Sequence, residues 1–347
     1  MEVDKGANRE PVDVQAAVSS KIERLRRAAR DGSARAQFKL GICYQNGTGV
    51  RKNLRVAQSW IEKSARQGLA EAQLTLGIYY QNALGVERDP KQAVSCYRAA
   101  AAQGDAGAKY SLGVCYDEGD GIRKDLRCAF RWFEEAARQG DLYAQYAYGL
   151  CLRHGRATKR DRTEGFKWLL KAARRGQTDA QFSVGVCFSR GEGVDQDTAA
   201  AFRWYMKAAR KGDSDAQYNA GRCYKRGRGV RRNLRRAAFW YEKAARQGDS
   251  DAQTQLGYLY EDGTGLRQDH KKALYWYHRA ARQGHADAQC ALGIIYWNGD
   301  IVRRDPKTAV KWYTLAAAAG DKDAMQNLAL ARAYLSQRRC NLVGRDT

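Results

Sequence analysis

Proline is nearly absent from this chain: three residues in 347, against 34 glycines. So little proline leaves long helices unobstructed, because proline removes an amide donor and clashes with the preceding turn. Histidine is scarce too. The four residues, His154, His270, His278 and His285, form no His-Glu-x-x-His, the pattern that sets two zinc ligands on one helical face. There is no Gly-x-x-x-x-Gly-Lys-Ser/Thr to cradle a phosphate. The nine cysteines include no Cys-x-x-Cys pair, which argues against a zinc ribbon or a thioredoxin-like centre. Their density is far below that of a disulfide scaffold. No stretch approaches the ~18 apolar residues of a membrane span. The opening "MEVDKGANREPVDVQAAVSS" is charged and lacks the apolar run of a signal peptide. These absences predict a cytoplasmic protein with no catalytic residues, no cofactor and no metal.

Positive charge is abundant. Lys and Arg number 61 and Asp and Glu 38, a formal net charge of +23. That balance favours acidic proteins, nucleic acid or anionic lipid as partners and is silent about fold. The densest run is "YKRGRGVRRNLRRAA" from Tyr224 to Ala238, with seven cations: Lys225, Arg226, Arg228, Arg231, Arg232, Arg235 and Arg236.

The glycines keep a strict ruler. Gly68, Gly104, Gly140, Gly176, Gly212, Gly248, Gly284 and Gly320 are each 36 residues apart, so eight units fill 33–320 without insertion or deletion. Such self-similarity takes precedence over any local motif. Each unit opens with an apolar stripe at helical spacing, such as Ala36, Leu40, Cys43 and Tyr44. A two-glycine turn follows, such as Gly47-Thr48-Gly49. Next comes Asn53, Asp89, Asp125, Asp161, Asp197, Asn233, Asp269 or Asp305, the residue types that cap a helix start. Pro90 and Pro306 stand directly after that cap, where proline is tolerated. A second amphipathic helix then runs to the next ruler glycine, a natural left-handed stop. The reading is all-α: an α/α superhelical solenoid of eight 36-residue helix-turn-helix repeats with capping helices. Residues 1–32 form an N-terminal segment and cap, 33–320 the repeats, and 321–347 a C-terminal cap and tail.

The pattern Ala-x-Ala-Gln-x-x-Leu-Gly-x-x-Tyr-x-x-Gly-x-Gly-Val, then Asp, Ala, Trp-Tyr-x-Lys-Ala-Ala and Gln-Gly-Asp, resembles the Sel-one-like repeat (SLR) family, a relative of the tetratricopeptide repeat. "DAQYNAGRCYKRGRGV" and "AAFWYEKAARQGDS" carry it well. The resemblance covers 288 of 347 residues. It implies a protein-interaction adaptor or scaffold. Some secreted members pair two cysteines within each repeat. Here Cys43, Cys115, Cys151, Cys187 and Cys223 recur at one position, but Ala-Ala stands where a partner would sit, which argues for a reducing compartment. Some members are linked to penicillin-like ligands, yet no Ser-x-x-Lys occurs.

On the ruler, the basic stretch is the inter-helix turn of repeat six. A folded turn is a poor import signal; it is either a solvated turn or a patch for an acidic partner. Trp60, Trp132, Trp168, Trp204, Trp240, Trp276 and Trp312 share one position and read as core. Trp297 stands where the other seven repeats carry polar residues, and reads as an anchor or as packing on the C-terminal cap. Phe38, Tyr110, Tyr146, Phe182 and Tyr218, with Arg222 and Tyr258 beside them, line the first helices and read as inter-repeat packing or as the floor of a partner groove. The expected partner is a protein, acidic in character, bound to a monomer. The rival is a nucleic-acid-binding solenoid using the periodic Lys/Arg ridges, and exposed aromatics beside those cations would favour it.

Overall fold

The computed structural model describes residues 12–343, with side chains for 20–337. The polar opening read for residues 1–11, and the final four residues of the tail, lie outside that range. The described residues are helical throughout, with no strand. A leading helix, α1 (Val12–Arg30), is followed in unit one by α2 (Ala34–Asn46), α3 (Leu54–Arg66), α4 (Ala70–Asn82), α5 (Pro90–Ala102), α6 (Ala106–Glu118), α7 (Leu126–Arg138), α8 (Leu142–His154) and α9 (Arg162–Arg174). Unit two holds α10 (Thr178–Arg190), α11 (Thr198–Arg210), α12 (Ser214–Arg226), α13 (Leu234–Arg246), α14 (Ser250–Asp262), α15 (His270–Arg282), α16 (Ala286–Asn298), α17 (Pro306–Ala318) and α18 (Lys322–Val343). The compact units are residues 1–175 and 176–347. None of these helices is long and apolar enough to cross a membrane.

The eight Asp or Asn residues expected to start second helices all do so. Asn53 Oδ1 accepts from the Val56 amide at 3.1 Å, and Asp197 Oδ1 from Ala199 and Ala200 at 2.8 and 2.9 Å. First helices other than α4, which follows Leu69, are capped as well, a feature absent from the sequence reading. Asp213 and Asp249 accept from Ala216 and Ala252 at 2.6 and 2.7 Å. The "Gln-Gly-Asp" string thus ends one helix and starts the next. Between the helices of a pair, Gly263 and Gly265 both have positive φ, and a Cβ on Gly265 would lie 2.5 Å from Leu234 Cβ of the preceding repeat. The second turn glycine therefore serves a close approach as well as a backbone conformation.

The glycine inside each first helix has a similar cause. A methyl group on Gly221 would stand 2.6 Å from the Tyr241 ring, and one on Gly41 2.6 Å from Ile61. Ile61, Tyr97, Phe133, Leu169, Tyr205, Tyr241, Tyr277 and Tyr313 form this buried row. The tryptophan row precedes it by one residue, about 100° around the helix. That rotation corrects the core assignment: only Trp240 and Trp276 are buried, while Trp60, Trp132, Trp168, Trp204 and Trp312 are half-buried. Ammonium groups cover several: Lys63, Lys171 and Lys207 lie 4.6, 4.7 and 3.9 Å from the rings of Trp60, Trp168 and Trp204.

The glutamine of the Ala-x-Ala-Gln string joins repeats. The last carbonyls of any helix lack an internal donor. Gln37, Gln73 and Gln145 in unit one donate to Ala29, Ala65 and Ala137 O, and Gln217, Gln253 and Gln289 in unit two to Ala209, Ala245 and Ala281 O, at 3.0–3.4 Å. Gln253 is fully buried and also accepts from Gln283 Nε2 at 2.8 Å. Gln253→Leu keeps the volume but strands these partners. The expected cost is about 1–3 kcal/mol, read as faster amide exchange confined to the joint between repeats six and seven. Exchange unchanged at that joint counts against the role.

Candidate protein-interaction surface

The aromatic row of the first helices lies half-buried over the core. In unit one, Phe38 packs on the Ile61 cluster, and the Tyr110 ring sits 5.8 Å from Phe133 and 5.9 Å from Tyr143. Tyr146 is half-buried. In unit two, Phe182 lies 5.8 Å from Tyr205 and Tyr218 5.7 Å from Tyr241. All five rings are partly buried. Tyr143, 56 % exposed, belongs to the same face of unit one and was missed, because most other repeats carry a charged residue at that position.

In unit two the row changes character. The position held by Phe182 and Tyr218 passes to Thr254 and then Cys290. With the bulky ring gone, a pocket of about 490 Å³ opens over Cys290, Ala291 and Ile294, with Tyr258 on one wall. Ile294 is 42 % exposed. Its rim is acidic: Glu261 and Asp262 from α14, Asp287 from α16, and Asp321 and Asp323 at the start of α18. No cation lies within ion-pair distance of Asp262, Asp287 or Asp323 among the described residues. Two groups inside report the negative field. Burial pushes the Cys290 thiol up to about 11, aided by Asp321 and Asp323, and the Tyr258 phenol up to about 12, aided by Asp287.

The basic stretch occupies the end of α12, the turn and the start of α13. Lys225 is half-buried; its ammonium donates to Gln255 Oε1 at 2.6 Å, and burial followed by Arg226 lowers its pKa. Arg236 donates to Tyr224 Oη at 3.3 Å. Arg226, Arg228, Arg231, Arg232 and Arg235 are exposed, with no carboxylate at ion-pair distance among the described residues. Arg222 lies 5.6 Å over the Tyr218 ring. Arg222, Lys225 and Arg226 on α12 occupy the register positions that Tyr258, Glu261 and Asp262 occupy on α14. One face of unit two therefore turns from basic to acidic in a single repeat.

The structure does not bring Trp297 to this face. Its ring meets Tyr334 of α18 edge-on at 5.3 Å, and Arg304 lies 5.3 Å above it while donating to its carbonyl at 2.9 Å. Of the two roles open to it, packing on the terminal helix is the one these contacts supply. The histidines are dispersed in the same way. His278 sits between Tyr296 and Trp312, where burial lowers its pKa, and His285 caps α16 and faces Asp251 at 3.3 Å. Among the described residues no three His, Cys, Asp or Glu side chains converge as metal ligands.

Comparison with known proteins bears directly on this architecture. The Sel1 repeat matches eight consecutive times over residues 34–321, each unit 36 residues long. Comparison with curated proteins gave no match. Among solved structures, the chain is 36 % identical to c5321, a protective antigen of uropathogenic Escherichia coli displaying an SLR fold. That match covers 90 % of this chain and 68 % of the other, with a TM-score of 0.80. It is 34 % identical to a Sel1 repeat protein from Oxalobacter formigenes, covering 95 % and 97 % of the two chains, with a TM-score of 0.63. With repeats, helix pairs and solenoid-like stacking all in agreement, this chain belongs to the Sel1 repeat family.

Proposed function

We propose that the protein is a non-enzymatic interaction scaffold that holds a protein partner on the first-helix face of unit two. Sel1 repeats generally mediate protein–protein interaction, which supports the class. The observation that carries the specific reading is the pocket over Cys290 and Ile294, opened where the aromatic row lapses. A partner segment lying along this face meets Arg222, Lys225 and Arg226 with its acidic part, and the acidic-rimmed pocket with an apolar and basic part. Tyr218 and Tyr258 supply apolar contact between. Complementary charge sets the register and the encounter rate, while the buried apolar contact supplies affinity. The reading is of a protein in a reducing, cytoplasmic setting, working as a single copy.

The test is affinity capture from the source cell with nuclease present, comparing the native chain with Ile294→Asp. Ile294 is well exposed, so the variant keeps its fold while adding a charge to the pocket floor. Loss of the captured protein is the expected outcome. Equal recovery on both baits rejects the pocket as the docking site.

A further inference from the structure

The second helices of repeats six and seven differ from all others at one register position. Phe239 and Tyr275 occupy it, where the remaining repeats carry Ser59, Ser95, Arg131, Lys167, Arg203 and Lys311. Both rings are about half exposed, 51 % and 52 %, among the most exposed large apolar side chains of unit two. Each is held edge-on by the tryptophan that follows it, Phe239 to Trp240 at 5.3 Å and Tyr275 to Trp276 at 4.9 Å. Trp240 and Trp276 are buried in one core cluster, so the two exposed rings are fixed on neighbouring repeats.

Cations frame both rings four residues away, about 6 Å of rise in either direction. Arg235 and Lys243 flank Phe239 on α13; Lys271 and Arg279 flank Tyr275 on α15. The Lys243 ammonium lies 5.1 Å from the Phe239 ring, and Arg279 lies 5.8 Å from Tyr275 and donates to its hydroxyl at 3.1 Å. Arg235, Lys243, Lys271 and Arg279 are exposed and have no carboxylate at ion-pair distance among the described residues. Helix α15 contains no acidic residue, and the one on α13, Glu242, is engaged by Arg246 at 2.6 Å. The column cation–aromatic–cation occurs in these two repeats alone.

We propose that this outer face of repeats six and seven binds single-stranded nucleic acid, with bases stacked on Phe239 and Tyr275 and phosphates on the flanking Lys and Arg. Single strands are held by this combination: a positive surface that follows the backbone and π-faces that accept any base. The rings are rigid, exposed on one side and set among unpaired cations. An acidic protein would use the cations but gains less from two separate, solvent-facing rings. The face is distinct from the first-helix face assigned to a protein partner, so either reading can fail without the other.

The experiment is fluorescence anisotropy of the full chain with labelled oligothymidylate and oligouridylate of about 12 nucleotides, within the usual site-size range, at about 50 and 200 mM salt. Binding that weakens steeply with salt is expected. Phe239→Ala with Tyr275→Ala is expected to weaken it about 30-fold or more without changing the salt slope. Phe239→Tyr with Tyr275→Phe keeps the stacking surface and is expected to keep the affinity. Lys243→Gln with Arg279→Gln reduces the salt slope by about 1.4, roughly 0.7 for each phosphate contact to a single strand. Absence of binding at low salt overturns the proposal, as does binding that the double alanine variant leaves unchanged. Equal affinity for polyglutamate also overturns it and marks the face as a dock for acidic protein.

Discussion

Alanine in place of Tyr241 is expected to cost about 3–5 kcal/mol, the range for emptying a buried aromatic site. The ring is fully buried, lies against the helical Gly221 and supports Tyr218 at 5.7 Å. Trp204→Ala is expected to cost only about 1–2 kcal/mol, the ordinary range for a partly buried site. That indole is half-buried and covered by Lys207 at 3.9 Å. Tyr241→Phe provides a control. The Tyr241 hydroxyl has no hydrogen-bond partner among the described residues, so its removal strands nothing and stability should hold or rise. Because repeats contact mainly their neighbours, damage should stay near repeat six. Hydrogen exchange by mass spectrometry reads both size and spread. A larger loss at Trp204 than at Tyr241, or exchange that rises evenly from repeat one to repeat eight, contradicts this account.

Reversing Arg228, Arg231 and Arg232 to Glu is expected to slow association with the captured partner by about one to three decades, the spread seen among variants of one interface. Repeat six carries ten Lys or Arg against three Asp or Glu, whereas repeat seven carries five of each, so the positive field is local. The three arginines are exposed turn residues, which leaves the helices intact. Their effect belongs to the on-rate and should fade as salt shortens the reach of charge, to about 8 Å at physiological ionic strength. An unchanged rate at low salt would falsify the steering role and leave a solvated turn.

Most of the architecture was legible because it depends on local chemistry. The ruler glycines, the Asp and Asn caps, and the two prolines each act within a few residues of themselves. The identity of the core aromatic was not. Trp240 and Tyr241 are adjacent bulky residues, and only the position of Gly221 on the facing helix decides which one it receives. The pocket over Cys290 was hidden for a similar reason. It needs a small side chain on α16, together with aspartates from α16 and α18 and a glutamate from α14, and no single window of sequence contains that set. Trp297 looked available because its register position is polar in the other seven repeats; Tyr334, far along the chain, packs edge-on against it. Phe239 and Tyr275 were visible in the ruler, but their exposure follows from the turn of each helix about its neighbouring tryptophan.

The glutamine joints have a consequence for how such a chain changes length. At the joints of Gln37, Gln73, Gln145, Gln217, Gln253 and Gln289 the front of a repeat offers the same donor and the back of its predecessor the same acceptor. A whole unit can therefore be duplicated or lost in the gene while the new junction keeps the old chemistry. Growth of this kind needs no compensating substitution. The pairing lapses where the glutamine is replaced: by Lys109 on α6, inside the array, and by Met325 on α18, whose thioether has no proton to give the helix before it.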